Sequence, residues 1–141
     1  TGVTWNFVVK SGGAIISVAA STTMTMAVAF SNDGGTGGLT KLGAGTLAMG
    51  SLAHSYNGAT TISAGTISRA VTNGSTTGTA TFGASTLSVS FNVAPPSGTT
   101  TFRYFPGATT NSYASVTLTG VAAGTTATYN SANSTLSVVI P

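Results

Sequence analysis

Residues 34–67, GGTGGLTKLGAGTLAMGSLAHSYNGATTISAGTI, constrain the fold more than any other stretch of this 141-residue chain. Glycine punctuates it at Gly37-Gly38, Gly43-Ala44-Gly45, Asn57-Gly58 and Ala64-Gly65. Between the breaks, Leu39 and Lys41, then Thr46, Leu47 and Ala48, then Thr60, Thr61, Ile62 and Ser63 form short runs that alternate with period two. Such runs between Gly and Asn-Gly breaks read as very short strands joined by tight turns. A helix is disfavoured, because each interior glycine costs about 1 kcal/mol relative to alanine. Strand and turn repeated at this spacing wind a chain into a coil of β-structure.

The rest of the chain agrees with strands. Thr4–Lys10 places Trp5, Phe7 and Val9 on one face, and Ala14–Ala20 and Thr23–Phe30 follow. In the last of these Met24, Met26, Val28 and Phe30 share a face, a pattern that more often fills a core than holds a cofactor. Ser31–Gly35 reads as a turn in which Asp33 bonds its own backbone. Val71–Gly83 is poor in apolar residues and carries Asn73-Gly74, so Asn73, Gly74, Ser75, Thr76 and Thr77 are expected to project as a loop. From residue 85 the strands lengthen: Thr86–Val93 alternates strictly, Pro95-Pro96 breaks it, and Thr100–Phe105, Tyr113–Thr119, Thr125–Tyr129 and Ser134–Ile140 complete the chain.

Only 4% of residues are charged, while 41% are hydrophobic and Ser and Thr make up about a third. Such a surface has little electrostatic repulsion to keep copies apart. The net charge of +3 comes from Lys10, Lys41, Arg69 and Arg103, which are too scattered to form a phosphate track, so nucleic acid is not an expected partner. No run is long and apolar enough for a membrane helix. The absence of cysteine excludes disulfides and Cys-based metal sites.

Chemistry is equally sparse. Asp33 is the single acid, so paired carboxylates are impossible, and one His with one Asp cannot close a metal's coordination sphere. No Gly-x-Ser-x-Gly elbow frames a nucleophile, and His54 reads as an ordinary loop residue. No enzyme activity, catalytic residue, metal or cofactor is expected. Tyr56, Tyr104, Phe105 and Tyr113 are the aromatics available for stacking on a sugar or partner, although each sits in or beside an alternating strand, which favours a core role.

Two motifs carry a resemblance. Gly38-Leu39-Thr40-Lys41-x-Gly43-x-Gly45-Thr46-Leu47, followed by Tyr56-x-Gly58-x-Thr60-Thr61-Ile62-x-Ala64-Gly65-Thr66-Ile67, resembles the passenger-associated repeat of bacterial autotransporters. More loosely, Ala127-Thr128-Tyr129-Asn130 with Thr135-Leu136-Ser137-Val138 resembles the segment that closes autotransporter β-helices. The resemblance implies a right-handed parallel β-helix that is secreted and displayed at the bacterial cell surface, and it implies a scaffold, with no activity attached. The start at Thr1, and the lack of the family's C-terminal membrane barrel, imply a processed chain, a fragment or a stand-alone relative.

The expected fold is therefore all-β: a short right-handed β-solenoid with a C-terminal β cap, or alternatively a β-sandwich subunit. A single domain, 1–141, is expected to hold solenoid-like rungs over 1–84 and a longer-stranded half or cap over 85–141. Roughly 20 residues per turn would give about six or seven rungs. The expected function is a secreted, non-enzymatic structural protein that homo-polymerises head-to-tail into an extracellular filament or surface layer. Its contacts are expected at Trp5, Phe7 and Val9 and at Leu136, Val138 and Ile140. The alternative is an adhesin or passenger fragment that binds a glycan or host surface.

Overall fold

Short runs of Thr, Leu, Ile and Met between glycine turns become short strands, and a computed structural model, which describes residues 6–141, holds strands and no helix among them. The fold is all-β. In chain order the strands are β1 (Phe7–Val9), β2 (Ala14–Ser17), β3 (Thr23–Thr25), β4 (Phe30–Asn32), β5 (Leu39–Leu42), β6 (Thr46–Gly50) and β7 (Thr60–Ile62). They continue as β8 (Thr66–Asn73), β9 (Thr76–Phe82), β10 (Leu87–Val93), β11 (Gly98–Arg103), β12 (Val116–Thr119), β13 (Thr126–Asn130) and β14 (Thr135–Ile140).

Up to β8 all the pairing is parallel. Phe7 lies beside Phe30, Ala14 beside Leu39 and Leu39 beside Thr60, while Thr23 lies beside Thr46 and Thr46 beside Thr66. Partners are about 20 to 25 residues apart, so like positions of successive layers lie over one another. The inward positions of the middle layer, Phe30, Leu39, Lys41 and Leu47, are all buried.

Lys41 takes one of those inward positions, between Ile16 and Ile62, and is fully buried. Its ammonium donates to the carbonyl oxygens of Leu42 (2.8 Å), Gly43 (2.7 Å) and Ala64 (3.2 Å). The first closes β5, the second lies in the turn after it and the third in the turn after β7, so one side chain ties two stacked turns together. Burial pulls the Lys41 pKa below its usual value, and its three hydrogens all meet acceptors. Glycine is needed at the same turns. Gly43 has φ 73° and Gly65 φ 66°, and a Cβ at Gly43 would collide with the Val18 carbonyl oxygen, one at Gly65 with those of Gly43 and Gly45.

Beyond β8 the pairing changes. Asn73 pairs with Thr76 across Gly74-Ser75, a two-residue turn with Gly74 at φ 59°, and sends β9 back antiparallel to β8. The expected projecting loop is thus a tight hairpin, with Thr76 buried. Low apolar content hid it, because Thr occupies strand positions that Leu or Val would otherwise mark. Among the described residues the parallel stack accordingly has three layers at β2-β5-β7 and β3-β6-β8, where six or seven rungs were expected.

β10 pairs antiparallel with β9 and parallel with β12, giving a six-stranded sheet in the order β12-β10-β9-β8-β6-β3. β11, β14 and β13 form a separate antiparallel sheet, which meets the larger one at Phe91 and Phe102, their rings 5.9 Å apart. Phe82 is the hub between them: Tyr104, Phe105, Tyr129 and Tyr113 surround it edge-on at 4.9, 5.1, 5.8 and 6.0 Å. Tyr56, Tyr104, Phe105 and Tyr113 are all buried, in line with a core role. The layer below β7 is supplied by Ala108–Asn111, with Asn111 donating to Ile62 O (2.9 Å) and accepting from Ile62 N–H (2.7 Å).

Replacing Lys41 by Met keeps the apolar stem and strands three carbonyl oxygens. Thermal and urea denaturation of Lys41→Met are expected to show a loss of about 3 kcal/mol. An unchanged midpoint would mean that the ammonium does not hold the turns.

Candidate functional site

Two features stand out as places where the fold could meet something else: a polar cavity and the open edges of the large sheet.

The cavity, about 550 Å³, opens between Ser51–Ser55, the middle of β8 and the β11–Pro106 segment. The alternation of β8 turns Ile67, Arg69 and Val71 inward, which carries a guanidinium into the core. Its neighbour across the sheet is Ala80, whose small side chain leaves room. Arg69 Nη1 donates to the carbonyl oxygens of Leu52 (3.0 Å) and Met49 (3.4 Å), while Nε has no partner. Burial lowers the Arg69 pKa, and nearby Tyr56 and Tyr104 act in the opposite direction.

His54 is buried rather than an ordinary loop residue. Its Nδ1 accepts the Phe30 amide (3.0 Å), its ring lies 5.3 Å from that of Phe30, and its Nε2 is unpartnered. Burial first, and the Arg69 charge second, pull its pKa down to about 4, with the nearby Met49 backbone carbonyl acting in the opposite direction. The Tyr104 hydroxyl is also buried without a partner, and burial raises its pKa. Arg103, on the exposed side of β11, folds back so that its Nε donates to Phe105 O (3.2 Å) and Nη2 to Pro106 O.

Among the described residues, the sheet edges are β3 and β12. β3 runs parallel to β6 and β8, β9 reverses, β10 reverses again, and β12 follows β10, so both edges point the same way. One inward row crosses the sheet in register through Met24, Leu47, Ile67, Phe82, Leu87 and Val116. The four middle members are buried; Met24 is 41% exposed and Val116 half-buried. An open groove beside β12 is lined by Val116, Leu118, Val121 and Ala127.

The residues expected as subunit contacts lie elsewhere. Trp5 is outside the described residues. Phe7 is exposed, its ring 5.8 Å from that of Phe30. Val9, Leu136, Val138 and Ile140 are buried, and β14 is flanked on both sides by β11 and β13. A strand paired on both edges offers no edge to another copy, so Leu136, Val138 and Ile140 make no edge contact there, whereas β1 pairs only with β4 among the described residues. The edge role of β3 and β12 was not visible in the sequence, because edge position depends on pairing order. Asp33 does have its expected local role, with Oδ1 accepting the Gly35 amide at 3.3 Å.

Residues 39–68 match the family model of the passenger-associated-transport-repeat. The chain carries this autotransporter passenger repeat. The matched stretch runs from β5 into β8, includes Lys41, both turns that it joins and His54, and ends one residue before Arg69. No curated protein and no solved structure matches the chain.

The buried histidine sets an acid limit. Its folded pKa of about 4 lies below the ordinary 6.5, so the unfolded chain binds more protons between those values. Stability is therefore full above pH 6.5 and falls as pH drops toward 4, as protonation also removes the acceptor for the Phe30 amide. With one acid and one histidine in the chain, thermal melts across this window should read His54 with little interference. In His54→Gln the drop should shrink; an identical pH profile would contradict the assignment.

Proposed function

We propose that the chain is a secreted, non-enzymatic structural protein whose copies stack head-to-tail through the two edges of the six-stranded sheet, building an extracellular filament or surface assembly. The observation that carries this reading is direction. Because β3 and β12 run the same way, one copy's β3 set beside the next copy's β12 would extend the sheet by the parallel pairing that already joins β3 to β6 and β10 to β12. The inward row would then continue from Val116 of one copy to Met24 of the next. Such a contact uses two different patches and does not close on itself, so it builds open filaments.

Neither edge strand carries a charge, and unpaired edges of this kind are usually blocked by charge, proline or a covering loop. The parallel layers read as rungs of a short β-solenoid, and the β11-β14-β13 sheet reads as its cap. The passenger repeat supports secretion or surface display. Of the four cations, Lys41 and Arg69 are buried, which leaves Lys10 and Arg103 outside and favours no nucleic-acid role. A non-enzymatic reading fits the use of His54 as an acceptor for a backbone amide.

Negative-stain microscopy of the purified chain tests this. Regular filaments are expected, and Met24→Asp or Val116→Asp, each placing a carboxylate on an open edge, should abolish them while circular dichroism stays β-like. Isolated monomers at every concentration, or normal filaments from both variants, would overturn the reading.

A further inference from the structure

Three buried side-chain polar atoms lack a partner among the described residues: His54 Nε2, Arg69 Nε and Tyr104 Oη. All three belong to residues lining the one cavity beside β8. Their chemistry is alike. His54 accepts the Phe30 amide at Nδ1, so in the neutral ring the proton sits on Nε2, which becomes a donor. Arg69 Nε can only donate, and the Tyr104 hydroxyl has a proton to give. Arg103 also lines the cavity, its guanidinium donating to the Phe105 and Pro106 carbonyl oxygens. The residues lining the cavity thus carry three unpartnered donor groups and no carboxylate. The chain's sole acid, Asp33, bonds its own turn at Gly35.

We propose that this cavity binds a small carboxylate, whose two acceptor oxygens complete the donors of Arg69, His54 and Tyr104. A carboxylate matches the planar fork of a guanidinium and accepts without donating. Water satisfies such a cluster less completely, since each water brings two hydrogens that also need acceptors. The mouth is lined by the hydroxyls of Ser51, Ser55, Thr72 and Thr101, all exposed, so the body of the ligand is polar. A volume of about 550 Å³ lies within the usual range for small-ligand sites. The carboxylate could belong to an acidic sugar or to an acidic side chain of another protein. The site does not depend on the head-to-tail contact, because none of its residues is on β3 or β12.

Titration of the full chain with sodium glucuronate, N-acetylaspartate amide, glucose and sodium sulfate, followed by amide chemical shifts, tests the assignment. Glucuronate or N-acetylaspartate amide should move the signals of residues 51–55, 69 and 103–106, with affinity roughly 10-fold or more above glucose and sulfate. Whichever carboxylate binds more tightly identifies the source. Tyr104→Phe, which keeps the ring, and Arg103→Gln, at an exposed position, should melt like the parent and weaken binding by about 3- to 10-fold each. Equal binding of glucose or sulfate, no shift up to about 50 mM of either carboxylate, or full binding in both variants would overturn it.

Discussion

One ammonium group holds the centre of this fold. Lys41 reaches the carbonyl oxygens of Leu42, Gly43 and Ala64, and so joins the turn of one parallel layer to the turn of the next. A stack in which most strands are three to five residues long has little ladder to lock its register. Its turns leave carbonyl oxygens pointing inward, where water does not reach. An unpartnered buried carbonyl costs about 1–3 kcal/mol, so three of them on one spot would undo much of what the short ladders contribute. Lysine answers all three with one side chain, and its stem packs between Ile16 and Ile62. The glycines of the motif serve the same contact, because turns stacked this closely leave no room for a Cβ.

The rest of the core builds outward from that staple. Phe30, Leu39 and Leu47 fill the middle layer, and Phe82 ends the parallel part by receiving four aromatic rings from the C-terminal half. Stability comes from backbone ladders and packed rings, with almost no ion pairing available to a chain with one acid. The buried cations are met by carbonyl oxygens. Arg69 is met least completely, and its cavity is where the polar inventory stays open.

Much of this was legible in the residues. Glycine spacing and period-two runs located β5, β6 and β7 and the turns between them, and the repeat motif was readable in order. Several things were hidden. Lys41 looked like one of four scattered cations, because nothing in an alternating strand says that a charged residue points inward to meet a carbonyl 23 positions away. Residues 73–77 read as a projecting loop, with only Thr79–Phe82 as a short edge strand beside it, since Thr-rich strands lack the apolar signal that marks a core face. Thr23–Phe30 read as one strand but bends after Thr25, leaving β3 and β4 in different sheets. The terminal apolar residues seemed free for contact, yet β14 lies between two partners. Pairing order is a three-dimensional property, and it decides which strand is an edge. His54 gave no sequence signal for the cavity; its partner, the Phe30 amide, lies 24 residues earlier.

The stacking proposed between copies rests on the same parallel geometry that Lys41 secures within one. X-ray diffraction from oriented filaments tests it most directly. Sheets continued from β12 of one copy to β3 of the next place strands across the filament axis, and a strong meridional reflection near 4.8 Å is expected. A reflection at that spacing on the equator, or none at all, would contradict it.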